Sequence, residues 1–437
     1  MMSARKGILA AAVAVVAVVV VVILVASGDG GDDGANAANV SQGGAASGQE
    51  EVTLRLLMTT TAQAATEQLV ADFEKANPTI DVEDEYLPTL TIEQVLPTQI
   101  QGGSAPDLSF VQTGNTSAIG VWRLGKEGHL LDLTGRPWDD LIWPAARATN
   151  SVDGKVYAWP SPVLPYDTVY NVDLFEELGL TFPETQAEVL EMCRTIRAAG
   201  KVPFIQSVEA MLQIARQRYA QFVYSVDPDW DQKRADGSEH FETSPLWHRA
   251  LESLVEMKDA DCFQPGVEGT TRPQQYAMMA RGDGVFSLAH AFDLAAIREA
   301  NPDVNLAMTN MPPDDGGDAA LFTAASLAIA GISTTEHPEE VKAFIDFMAS
   351  EDESSKFAET AGGIAPVDAM NGELPPYMNR LAPFVESEKL VGQHDAEWPN
   401  PRVVQDGLSK GIVGLFTGQL SVDEILANMD RIWDEGS

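Results

Sequence analysis

Residues 154–175, GKVYAWPSPVLPYDTVYNVDLF, carry prolines at 160, 162 and 165 between two strand-like runs. Each proline locks its own φ and pushes the residue before it out of the helical region, so the connector is extended and stiff. Residues 156–159 read as a short strand, and a second strand beyond Pro165 enters a helix. Tyr157, Trp159, Tyr166 and Tyr170 crowd the same stretch. A stiff connector lined with rings suits two lobes that close on something held between them.

Before this connector the chain alternates strand and helix. Residues 52–58 alternate as a strand and are followed by Thr59, Thr60 and Thr61; a helix from about Thr66 presents Leu69, Val70 and Phe73 on one face until Asn77-Pro78 stops it. Residues 80–86 form a second strand, 91–101 a helix and 108–111 a third strand. This order indicates an α/β lobe with a largely parallel sheet. Ligands of such sheets gather at the carboxyl ends of strands, which places residues 59–61 and 112–115 at a cleft edge.

Beyond the connector, Thr185-x-x-Glu188 opens a helix with Val189, Cys193 and Ile196 on one face. Residues 203–206 are strand-like, 209–224 form a long helix, 227–236 a polar loop and 245–259 another helix. Strands follow at 285–289, 305–310 and 327–332, with Pro312-Pro313 read as a second hinge. The helix at Pro338 sets Val341, Phe344, Ile345 and Met348 on one face, and Ser350-x-x-Glu353 caps the next. Helices over 403–416 and from Ser421-x-x-Glu424 close the chain.

The 437 residues suffice for two domains, and the net charge of −37 repels phosphate backbones, which argues against a nucleic-acid partner. Arg5 and Lys6 precede an apolar run over 8–26, the pattern of an export signal. The run is also long enough to span a bilayer, so residues 1–27 read as a cleaved signal peptide or an uncleaved anchor. Ser27 stands where a lipoprotein cleavage box needs cysteine, which removes the lipid anchor. Residues 28–50, rich in Gly, Ala, Ser, Asn and Asp, form a flexible linker. Cys193 and Cys262 either pair or stay as buried thiols; the exported setting permits the bond. Asp227-x-Asp229-x-Asp231 lacks the glycine of a calcium loop, with Gln232 in its place, and the six histidines lack metal-ligand spacing. No catalytic triad, zinc-protease, phosphate-loop or dinucleotide motif is present, so neither metal, cofactor nor catalytic residue is assigned.

Several motifs in order carry a resemblance: LVADFEKANP at 69–78, APDL at 105–108, GKVYAWP at 154–160 leading to YNVDLF at 170–175, MARGDG at 279–284, GIAPV at 363–367 and GQLSVDE at 418–424. Together they resemble the extracellular solute-binding proteins of ABC importers, specifically the carbohydrate-binding family 1 that includes the maltose-binding proteins. The resemblance implies a bilobed periplasmic-binding-protein-like α/β fold, with two central sheets joined by hinge crossover strands. Lobe 1 would take 51–163 plus 314–366, and lobe 2 would take 164–312 plus 367–437. It implies a non-enzymatic monomer on the outer face of the membrane that passes a small-molecule ligand, a carbohydrate, to ABC permease transmembrane subunits. The same scaffold serves other solutes, such as a polyamine, a metal chelate or a phosphorylated compound, and an exported glycoside hydrolase is the alternative from another class.

By position the family's cleft residues fall on Thr60, Thr61, Gln112, Asn115, Tyr166, Tyr170, His290, Phe292 and Trp398. Rings suit the C–H faces of sugars, and planar polar groups suit their hydroxyls. Each has a packing alternative: Tyr170 in the hinge, Phe292 and Trp398 in the core, His290 as an internally bonded histidine. The first lobe lacks the carboxylate and arginine that maltodextrin binders place near 114–115, which argues against maltose itself.

Overall fold

Two mixed sheets, each flanked by helices, organise the computed structural model, which describes residues 51–115, 117–291, 293–324, 327–367 and 374–435. The export segment, the linker and Phe292 lie outside the described residues. In the first sheet, Val52–Thr59 pairs in parallel with Ile80–Leu87 and with Leu108–Val111. Ala328–Gly331 then runs antiparallel between Leu108–Val111 and Trp159–Pro160. The helices Gln63–Ala76 and Pro338–Met348 cover this sheet, and Phe73 meets Phe344 edge-on at 4.9 Å. All four apolar residues expected on one face of the second helix are buried.

The second sheet is built on Leu164–Asn171, buried at all eight positions. One of its edges pairs antiparallel with Gly284–His290, which in turn pairs with Val202–Phe204. The other edge pairs with Leu321–Ala324 at its start and Leu306–Thr309 at its end. Leu390–Val391 adds to Leu321–Ala324. Leu321–Ala324, expected within lobe 1, is therefore hydrogen-bonded into the second sheet, and the chain returns to the first sheet at Ala328 rather than at Pro312-Pro313.

Three local expectations differ. The strand expected over 156–159 is split, with Lys155–Val156 in a hairpin to Ser151–Val152 across Asp153 and Gly154, both at positive φ. Such a pair of residues makes the tight turn whose twist matches the flanking strands. The polar loop expected over 227–236 contains the helix Trp230–Ala235, because Trp230 and Arg234, one turn apart, are both buried. Trp230 enters an aromatic core and Arg234 bonds Asp430 at 3.0 Å, tertiary contacts that override a polar composition. Ser350 precedes its helix but donates its hydroxyl back to the Phe347 carbonyl instead of capping. Ser421 and Glu424 do form the reciprocal box.

A series of polar bonds, buried from Asp167 to Gln186 and partly exposed beyond it, fastens the crossover to the second lobe. Asp167 Oδ1 accepts from the Thr168 and Met311 amides and from Gln217 Nε2 at 2.9–3.2 Å. Gln217 Oε1 accepts from Arg218, and Arg218 donates onward to Gln186 at 3.0 Å. Gln186 reaches Glu256, and Arg249 bridges Glu256 to Asp314. Because Asp314 follows the proline pair, both connections are tied to one set of helices.

Cys193 and Cys262 are joined in a disulfide across 69 residues of sequence, which resolves the two readings of the cysteines. Cross-linking a loop of that length restricts the unfolded chain, so the Cys193→Ser, Cys262→Ser double variant should lose roughly 4 kcal/mol in urea unfolding. An unchanged midpoint would show that the bond carries no stability. Burial pushes the Asp167 carboxyl up to about 7, against the pull of Gln217, Met311, Arg218 and Thr168. Between about pH 4, where an unfolded aspartate titrates, and about pH 7, the folded state holds a proton that the unfolded state releases. This stabilising contribution is complete below that window and is lost as pH rises through it. Asp167→Asn keeps the Oδ1 acceptor without the titration, so its stability should fall less steeply across the window; an identical slope would place the titration elsewhere.

Candidate ligand-binding cleft

A cavity of about 390 Å³ lies at the carboxyl ends of the first-sheet strands and is closed on the far side by the second lobe. Its first-lobe wall begins where Val52–Thr59 ends. The Thr59 hydroxyl accepts from the Thr61 amide and lies 3.0 Å from the Thr89 hydroxyl, so three threonines share one network with Thr61 and Thr89 in the wall. Gln112, just past Leu108–Val111, bonds Glu93 at 2.8 Å through its amide nitrogen. Phe110, Thr113, Asn115, Leu327 and Ala361 also stand on this side, and Leu164 and Ala324 from the crossovers line the cavity too.

The second-lobe wall is built on Met211–Tyr219 and on the loop carrying Gln393 and Asp395. Arg216 donates from Nε and Nη2 to one oxygen of Asp395, at 2.9 and 2.6 Å, and from Nη1 to Gln213. The Tyr219 hydroxyl donates to the other Asp395 oxygen at 2.6 Å. Three of the five guanidinium N–H groups are thereby assigned. Gln213, Gln393 and Gln405 join Gln112 and Asn115 to give five carboxamides on the wall.

His290 ends the strand Gly284–His290 and faces Tyr166 in register. The two rings stack at 3.5 Å and 10°. Asp293 Oδ2 accepts from the His290 amide at 2.8 Å, and Asp293 also receives the Tyr276 hydroxyl and lies 3.7 Å from Arg272. Burial lowers the His290 pKa, opposed by Asp293. The imidazole therefore sits neutral at neutral pH, a flat ring with one face on Tyr166.

Of the nine positions expected from sequence, Thr61, Gln112, Asn115 and His290 come together on the cavity wall. Thr60 points to solvent outside it. Tyr166 is buried behind His290 and supports that ring instead of lining the cavity. Tyr170 shares a strand face with Leu164 and Tyr166 but lies further along the strand, off the cavity wall, in an aromatic core with Phe175, Phe182 and Phe286. Trp398 packs against Phe241, Trp247 and Trp433 and donates its indole N–H to Asp231 at 3.1 Å, so it is core. Phe292 lies outside the described residues. Arg216, Gln213 and Asp395 were missed by the sequence reading. The partners Arg216 and Asp395 are 179 residues apart, and a helical arginine among polar neighbours reads as a solvated face.

Residues 59–354 match the profile of bacterial extracellular solute-binding proteins. The chain is similar to a multiple sugar-binding protein of Streptococcus mutans, 23% identical over 76% of this chain and 79% of that protein. It is also similar to the melibiose/raffinose/stachyose-binding protein MelE of Bacillus subtilis, at 24% identity over 73% and 74% of the two chains. Among solved structures, RafE of Streptococcus pneumoniae in its apo form superposes with a TM-score of 0.73 at 21% identity, covering 89% of this chain and 98% of that one. The fold is thus the bilobed one of these binding proteins, with two α/β lobes joined by crossover strands, and the chain belongs to the family of bacterial extracellular solute-binding proteins.

Proposed function

We propose that this chain captures a short oligosaccharide between its lobes and presents it to the permease of an ABC importer. The observation that carries this reading is the chemistry of the wall. Five carboxamides and a threonine network offer paired donors and acceptors, beside a neutral imidazole platform. Asp395 is the one carboxylate among the described lining residues, and it is bound by Arg216 and Tyr219. A polyamine would need uncommitted carboxylates, and a glycosidase would need two flanking the scissile bond. The relatives support the same class, since one is a multiple sugar-binding protein and another a melibiose/raffinose/stachyose-binding protein.

Thr61, Gln112, Asn115, Gln213, Arg216 and His290 would contact the sugar, with Tyr166 holding the His290 ring. Residues 51–163 with 327–366 would move against 164–324 with 374–435, and ligand preference for the closed arrangement would drive closure without catalysis. Both walls come from one chain, so a monomer suffices. The basic and apolar N-terminus would export the protein and either hold it at the outer membrane face or be removed. Among the described residues, no helix is long and apolar enough to cross a membrane.

Thermal unfolding of residues 51–437 with raffinose, stachyose, maltotriose, spermidine and a sugar phosphate tests the ligand class. A ligand at about 100 times its dissociation constant adds roughly 2.7 kcal/mol, which is visible as a raised midpoint. A shift from an oligosaccharide alone is expected; a shift from spermidine or the phosphate with silence from all sugars would sink the reading. His290→Ala should weaken binding of the active sugar by about 1 kcal/mol in calorimetry through loss of ring contact. Unchanged affinity would remove His290 from the site.

A further inference from the structure

Beside the cavity a backbone hydrogen bond joins the two lobes. The Asn115 amide, in the first-lobe loop after Leu108–Val111, donates to the Ala396 carbonyl of the second-lobe loop at 2.7 Å. Gly114 precedes it at φ 63, with its own amide donating to Thr149 O at 2.6 Å and its carbonyl accepting from Trp122 N at 3.1 Å. A Cβ on Gly114 would meet the Ala396 carbonyl oxygen at 2.5 Å and the Ala396 Cβ at 2.9 Å. The position therefore needs glycine twice over, for its left-handed backbone and for the approach of the opposite lobe.

Neither side of the contact can retreat easily. In the second lobe, Asp395 is held by Arg216 and Tyr219, and His394 bonds Asp231 at 3.0 Å while stacking on Tyr224 at 3.6 Å. Ala396 itself is buried at 1% exposure. In the first lobe, Gly114 is fixed at both its amide and its carbonyl. The same two loops supply Asn115, Gln393 and Asp395 to the cavity wall.

We propose that Gly114, Asn115 and the Ala396 carbonyl form a closure clasp, an interlobe backbone contact that sets the balance between open and closed arrangements and aligns the two cavity walls. The clasp rests on the reading that the lobes close over a solute, but it does not depend on which solute. Gly114 and Ala396 are positioning residues. They act on the site through the loops that they join, and the clasp forms only when the lobes meet.

The test uses full-length folded protein without any ligand, so it separates from the sugar assignment. Spin labels on Gln68→Cys and Val226→Cys, both exposed and in opposite lobes, report the interlobe distance by pulsed electron resonance. The protein with Gly114 intact should show a short-distance component, and Gly114→Ala should lose it in favour of longer distances. Gly128→Ala is the control, because Gly128 shares a left-handed φ of 76 with open space around it, and it should leave the distribution unchanged. Should Gly114→Ala fail to fold, Gly114→Asn tolerates the backbone angle and still brings a Cβ against Ala396. Distributions that match the parent in the folded Gly114 variant, or an equal shift in Gly128→Ala, would overturn the clasp.

Discussion

The strand Leu164–Asn171 is the constraint on which the rest depends. Both of its edges are occupied and all eight of its side chains are buried, so it cannot shift register without reversing the faces of the second sheet. Its register fixes the cleft directly. Leu164 reaches the cavity, Tyr166 lies against His290, and Asp167 on the opposite face makes the buried bonds that tie Met311 and Gln217 to the crossover. The crossover and part of the cavity wall are consequently one strand.

Electrostatics divide between the surface and the interior. The chain carries a net charge of −37, yet buried arginines fasten its key loops: Arg216 to Asp395, Arg234 to Asp430 and Arg218 to two glutamines. A buried ion pair offsets its desolvation cost only with good geometry and added hydrogen bonds. Asp395 meets that condition through Tyr219 and Arg216. The result is a cavity whose charge is internally balanced, suited to a polar and uncharged solute.

Apart from the Ser350 cap, local signals in the sequence held where a residue acts on its neighbours. The Ser421–Glu424 box, the stop at Asn77-Pro78 and the apolar stripe on Pro338–Met348 are all present, because capping, proline geometry and helical periodicity operate within a few residues. The order of motifs identified the family, and strand ends placed Thr61, Gln112, Asn115 and His290 near the cleft. Aromatic identity was a poor guide. Trp398 and Tyr170 have the chemistry of a sugar platform and yet complete the core, whereas the rings on the cavity wall are Phe110 and His290, the latter backed by Tyr166.

What the sequence determined by itself was therefore the α/β order, the family and the strand ends that border a cleft. Tertiary structure alone decided that Leu321–Ala324 joins the second sheet, that Cys193 meets Cys262, that Arg216 faces Asp395 and that Gly114 faces Ala396. Each of these pairs elements distant in sequence, and a side chain able to serve core or cleft takes its side from the packing of those distant elements.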